Sequence, residues 1–216
     1  MARTSKVVFK SARELLEFES SSSAALPSGC TVLDHLIGGG FFPGTVTEIS
    51  GEAGCGKSQI CMQFAATSIA NGHSVICVET ERGFSVKRVH QMLEFRAEKV
   101  EDAMQRLLIS SPSTMEQMMH VLTRLEESTE ELTKVVFVNH VASRKRLTSK
   151  NWETTPFLSH IHARHPTVRI WLERATNGTE TYRRITLMKS PFSPKGTAEF
   201  FITSSGVSLL EDHSSA

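Results

Sequence analysis

Residues Gly51-Glu52-Ala53-Gly54-Cys55-Gly56-Lys57-Ser58 follow the spacing G-x-x-x-x-G-K-[ST], in which each fixed residue type has a chemical task. The glycines let the backbone wrap around phosphate oxygens, so that N–H groups and the start of the next helix point at them. The Lys57 ammonium is a point charge for β- and γ-phosphates, and the Ser58 hydroxyl is a ligand for Mg²⁺. A strand read over Thr45 to Ser50 precedes the loop, and a helix carrying Ile60, Cys61, Phe64, Ala65 and Ile69 follows it. That context argues against a chance glycine-rich turn.

Two further groups of residues carry chemistry. The strand read over Val75 to Val78 runs into Glu79, Thr80 and Glu81, at the sheet edge where open α/β sheets bind their ligands. Glu81 is the candidate general base, to orient and deprotonate a water attacking the γ-phosphate; a solvated loop acid is the alternative. From Ala142 to Lys150, the cations Arg144, Lys145, Arg146 and Lys150 occur without an acid. Cations on a mobile loop neutralise backbone phosphates with salt-sensitive, sequence-independent affinity, and Trp152 offers a stacking surface. A solvated basic loop or a nuclear-import patch is the competing reading. His160, His162 and His165 lack a Cys or carboxylate at an established ligand spacing. Cys30, Cys55, Cys61 and Cys77 show no C-x-x-C and read as small buried thiols in a reducing compartment.

The elements that must position these residues alternate between strand and helix. Phe9 to Phe18 reads as a short helix, and Glu19 to Gly29 as a Ser-rich linker ending in Pro27 and Ser28. The expected organisation is therefore 1–28 as linker with a short helix and 29–216 as core. Val32 to Ile37 is helical and stops at Gly38, Gly39 and Gly40. Val75 to Val78 reads as a buried strand, Ser85 caps a helix with Val86, Val89, Met92 and Leu93, and Leu107 to Ile109 is the next strand. Ser113 and Glu116 spell a capping box for a helix whose Met115, Met118, Met119 and Leu122 stripe reads as core packing. Val135 to Val138 suits a strand buried on both faces. This alternation implies a mainly parallel sheet with crossover helices. Strands at Val168 to Leu172, Tyr182 to Met188 and Phe200 to Ile202 then extend it in antiparallel fashion.

With 216 residues, the chain suits one α/β domain, and 24 Lys plus Arg against 23 Asp plus Glu leave no global field toward nucleic acid or an anionic membrane. No apolar run reaches the roughly 20 residues of a membrane helix, and MARTSKVVFK lacks a signal-peptide core. A soluble, intracellular protein without membrane contact is expected.

The string from Gly29 to Gly40, followed by Thr47-Glu48-Ile49-Ser50-Gly51, resembles the approach to the P-loop in eukaryotic RecA-type recombinases. GKSQICMQF resembles that family's P-loop helix, VICVETERGFSVKRV its catalytic-glutamate strand, VVFVNHV its strand ending in Asn-Gln, and LMKSPFSPKGTAEFFITSSGV its closing strands. The non-filamenting paralogs, the C-type above all, are nearest. The resemblance implies a RecA-like P-loop α/β fold, with helices on both faces of the sheet, and binding of ATP and Mg²⁺. It implies work on single-stranded DNA in homologous-recombination repair in the nucleus, within a hetero-oligomer of recombinase and other paralogs. It gives Glu81 and Lys57 catalytic positions and puts His140 where the family has a γ-phosphate-sensing Gln. It also places Arg144, Lys145, Arg146 and Lys150 in the second DNA-binding loop, and makes Phe9 and Ala12 an F-x-x-A clip for a neighbouring protomer.

One departure from the family is large. A recombinase has an apolar strand ending in a Walker B Asp before the VVFVNHV strand, and Glu126 to Lys134 is all that separates that strand from the Met-rich helix. Loss of a strand–helix unit, and of the small N-terminal DNA-binding domain, is the expectation. Any ATP turnover should then be weak.

Overall fold

In the computed structural model, residues 11–14, 25–42, 44–80, 83–128, 134–145, 152–156, 166–178 and 180–209 are described. The first contact of the core is a bridge between Leu26 and Phe41, and Ser28 is already buried, its N–H donating to Asp34 Oδ1 at 2.8 Å. Helix α1 (Thr31–Ile37) buries Leu33 and Ile37 and ends at Gly38, whose left-handed backbone turns the chain out of the helix.

Strand β1 (Thr45–Gly51) lies third from one edge of a seven-stranded sheet among the described residues. It pairs in parallel with β4 (Lys134–Lys145) on one side and β6 (Val168–Asn177) on the other. From β6 the chain runs antiparallel through β7 (Glu180–Lys189), β8 (Thr197–Ile202) and the short β9 (Val207–Ser208). On the far edge, β5 (Trp152–Pro156) pairs antiparallel with the end of β4. The antiparallel extension is thus as expected, with both hairpin strands longer than the apolar runs that marked them.

Helix α2 (Lys57–Ala70) lies between two cores, which explains why it is buried on more than one side. Ile60 joins Ile49, Ile170, Leu172, Ile185, Leu187 and Phe200 in the main core, while Met62, Ala66 and Ile69 join Val89, Met92 and Leu93 of α3 (Val86–Leu93) in a second. Ser85 caps α3 as expected, accepting from Arg88 N–H at 3.3 Å. Helix α4 (Val100–Met104), with Ala103 buried, is too short for its periodicity to be read from sequence. An ion pair also sits in the sheet: Arg169 Nε donates to the buried Glu48 Oε2 at 2.5 Å, across the register that aligns the two residues.

Several expectations are overturned on the far side of α2. Strands β2 (Val75–Val78) and β3 (Leu107–Ser110) form a separate two-stranded parallel sheet, and Ile76, Leu108 and Ile109 are exposed, so β2 is not the buried strand its composition implied. The stripe on α5 (Met115–Ser128) is not core: Met115 is 77% exposed, and Met119 and Leu122 are exposed as well. The capping box falls one residue later. Thr114 Oγ1 accepts from Gln117 N–H at 3.2 Å, while Gln117 Oε1 accepts from Ser113 N–H at 2.8 Å. Gln117 is one turn into the helix from Thr114 and reaches back over the cap, which Glu116 does not.

Candidate functional site

The phosphate loop leaves the carboxyl end of β1, between two parallel neighbours, and enters α2. This is the crevice in which open α/β sheets hold ligands. Gly51 is required by close approach: a Cβ there would stand 2.3 Å from the Leu172 carbonyl oxygen and 2.7 Å from Cys55 Sγ. Gly56, the N-cap of α2, has φ of 105°, a left-handed conformation that turns the chain into the helix and leaves its first N–H groups facing the loop.

Lys57 is 5% exposed and donates from Nζ to the carbonyl oxygens of Gly51 at 2.9 Å and Glu52 at 2.8 Å, with Cys55 Sγ at 3.9 Å. Among the described residues its hydrogen-bond partners are neutral, and no acid pairs with it. A buried ammonium surrounded by backbone dipoles favours an anion beside it. Ser58, half-buried in the first turn of α2, sits beside the loop that follows β2, since a Cβ on Gly83 would lie 3.5 Å from Ser58 Oγ. The donor set therefore fits a Mg²⁺-bound polyphosphate: loop amides, an uncompensated ammonium and a hydroxyl.

Glu79 has a structural task. Its Oε2 accepts from Phe84 N–H at 3.0 Å and its Oε1 from the Ser111 hydroxyl at 3.3 Å, tying the turn after β2 to the end of β3. That clamp holds Gly83 at Ser58. Glu81 itself lies outside the described residues.

On β4, the backbone of His140 is in register with Gly51, and Asn139 with Ser50, which brings both to the level where the phosphate loop begins. Arg144 and Lys145 depart from expectation: they belong to β4, opposite Glu153 and Trp152 of β5, rather than to a mobile loop. Backbone pairing with β5 continues the strand past the apolar run that defined it in sequence. Arg146 and Lys150 lie outside the described residues, as do Phe9, His160, His162 and His165. Ala12 lies in a helical turn over 12–14 that Ser11 caps. Ser11 N–H donates to Glu14 Oε2 at 2.6 Å and Glu14 N–H to Ser11 Oγ at 3.2 Å, a reciprocal box whose S-x-x-E signal was legible but unread.

Cys30, Cys55, Cys61 and Cys77 form no disulfide among the described residues, and Cys30 and Cys55 are buried. Burial pushes Cys61 up to about 12 and Cys77 up to about 11, and each is pushed further by a neighbour, Cys77 and Glu79 respectively. Both are protonated at neutral pH and so unreactive as nucleophiles.

The family described as "ATPase: KaiC" matches residues 26–148. The DNA repair and recombination protein RadB of Thermococcus kodakarensis is 31% identical over 152 residues, 70% of this chain and 66% of that protein. The DNA repair protein RAD51 homolog 4 of Bos taurus is 33% identical over 142 residues, covering 60% of this chain and 43% of that one. The chain thus spans two thirds or less of these curated relatives. A crystal structure of the RadB recombinase superposes with a TM-score of 0.71 at 24% identity, over 85% of this chain and 98% of that one. The RecA-like α/β fold is thereby established.

Proposed function

The chain belongs to the KaiC-type ATPase family, and on that premise we propose that it is an ATP- and Mg²⁺-binding recombinase paralog of homologous-recombination repair, acting in the nucleus on single-stranded DNA. The observation that carries the reading is the buried Lys57 ammonium, held among the described residues by neutral groups at the mouth of β1. Ser58 would hold Mg²⁺, which would supply positive charge to the bound phosphates. Lys57 and the loop amides bind and orient the phosphates, and Glu81 is assigned the attacking water. His140, level with Gly51, is assigned to read the state of that site for the segment beyond β4.

In this reading the protein joins a hetero-oligomer with recombinase and other paralogs, of which the eukaryotic C-type is the nearest in kind. Phe9 and Ala12 dock on the neighbour. Phe9→Glu is expected to reduce capture of that partner at least about tenfold, because a carboxylate would have to enter an apolar pocket. A pull-down titration checks it, and undiminished capture removes the clip.

Arg144, Lys145, Arg146 and Lys150 are assigned to single-stranded DNA. Replacing Arg144, Lys145 and Arg146 by Ala lowers affinity and flattens the plot of log affinity against log salt by about 2, since each phosphate contact on a single strand contributes roughly 0.7. An unchanged slope in anisotropy titrations takes this segment off the DNA surface.

A second reading, a partner-binding adaptor that binds ATP without turnover, is favoured by one observation. The strand beside β1 brings Asn139 and His140, not a carboxylate, level with Ser50 and Gly51. Single-turnover hydrolysis, with and without DNA, separates the two: DNA-stimulated turnover supports the ATPase, and ATP binding without turnover the adaptor.

A further inference from the structure

The register of β6, β7 and β8 aligns two successive rows of residues at the phosphate-loop end of the sheet. One row is Glu173, Arg184 and Glu199. It alternates in charge, and Arg184 pairs with Glu199 at 3.0 Å. The next row, on the opposite face, is Arg174, Arg183 and Phe200, with two cations directly across from each other. Like charges facing across a strand pair are destabilising unless something lies between them.

The second row belongs to the face that builds the main core. Alternation puts Arg174 in line with Leu172 and Ile170, and Arg183 in line with Ile185 and Leu187, all of the latter buried. The apolar columns therefore turn cationic where β6 outruns its pairing with β1, which ends at Leu172 opposite Gly51. This is the level of the phosphate loop: Phe200, the third member of the row, lies 3.8 Å from where a Cβ on Gly56 would stand.

Neither arginine has an acidic partner among the described residues. Arg183 Nε is buried and without a hydrogen bond, and its Nη1 makes only a long 3.4 Å contact to the Tyr182 carbonyl. Burial, then the facing Arg174, press the Arg183 guanidinium below its usual range, and its charge is felt by the Cys55 thiol inside the loop. The nearby acids are Glu173 and Glu199 on the opposite face and the exposed Glu52 of the loop.

We propose that Arg174 and Arg183 form a second cationic wall of the phosphate site and receive phosphate oxygens of the bound nucleoside triphosphate. The inference rests on the nucleotide-binding reading and adds residues that the loop motif does not contain. An anion between the two guanidiniums removes the like-charge opposition and gives Arg183 Nε an acceptor.

The test is calorimetric titration of the full-length chain with Mg²⁺-ATP, comparing wild type, Arg174→Ala, Arg183→Ala, Arg183→Lys and Lys57→Ala, with thermal melts in the absence of nucleotide. ATP affinity is expected to fall about tenfold or more in Arg183→Ala, less in the exposed Arg174→Ala, and to recover partly in Arg183→Lys. The nucleotide-free melting midpoints of both Ala variants should hold or rise, because a like-charged pair has been relieved. If wild type binds ATP, Lys57→Ala does not, and both arginine variants bind as wild type, the second wall is overturned while the nucleotide site stands. Midpoints that fall in both Ala variants, with ATP affinity lost in proportion, overturn it in favour of a structural role. Failure of wild type to bind ATP overturns the nucleotide reading itself, and the second wall with it.

Discussion

Lys57→Ala is expected to weaken Mg²⁺-ATP binding by at least about a hundredfold, since a charged hydrogen bond and a buried counter-charge to the phosphates are lost together. The structure adds an effect on the nucleotide-free protein. Lys57 Nζ bonds the carbonyl oxygens of Gly51 and Glu52, so truncation strips two acceptors inside the loop. It also removes a buried ammonium that no acid among the described residues compensates, which is itself costly to keep. The terms oppose one another, and the melting midpoint without nucleotide should correspond to a change of within about 1 kcal/mol. Calorimetric titration with parallel thermal melts measures both. Retained ATP affinity removes the phosphate-loop assignment, whereas a collapse of the nucleotide-free protein makes Lys57 a structural residue.

Gln63→Ala is expected to cost about 2–4 kcal/mol of folding stability, far more than its polar character implies. Gln63, on α2, is buried and joins two distant parts of the chain. Its Nε2 donates to Gly29 O and, at 3.0 Å, to Val207 O, while its Oε1 accepts from Val207 N–H. Removing the amide leaves these buried backbone groups without their side-chain partner and opens a cavity. Gln63→Glu keeps the volume but presents carboxylate oxygens to two carbonyl acceptors, so it too should destabilise. Urea denaturation reads the change as a lower midpoint at constant slope. A midpoint unchanged in both variants means that water replaces the clamp.

The phosphate loop was legible in sequence because its chemistry is local. Glycines that let the backbone turn, a lysine and a hydroxyl act within eight residues, and the flanking strand and helix declare themselves by their own periodicity. The helix at Thr31–Ile37 with its Gly38 stop, the Ser85 cap and the antiparallel closing strands were likewise set by neighbours in the chain. Misreadings began where an element's surroundings came from elsewhere. Met115, Met119 and Leu122 have helical spacing, which specifies a common face but not whether anything covers it. Val75–Val78 is apolar, yet among the described residues it pairs with β3 alone in a sheet separate from β1, and Ile76 stays exposed.

By itself, the sequence determined that this protein carries a phosphate loop between a strand and a helix in an α/β chain, because those signals lie within reach of one another along the backbone. Tertiary structure decided what pairing and burial across the chain impose. It joined Arg144 and Lys145 to a strand, brought His140 level with Gly51, and made Gln63 a clamp between Gly29 and Val207. It also set Arg174 against Arg183 beside the loop. No periodicity reports those relations, because strand register and the partner of a buried polar group depend on pairing across a turn or with residues up to 144 positions away.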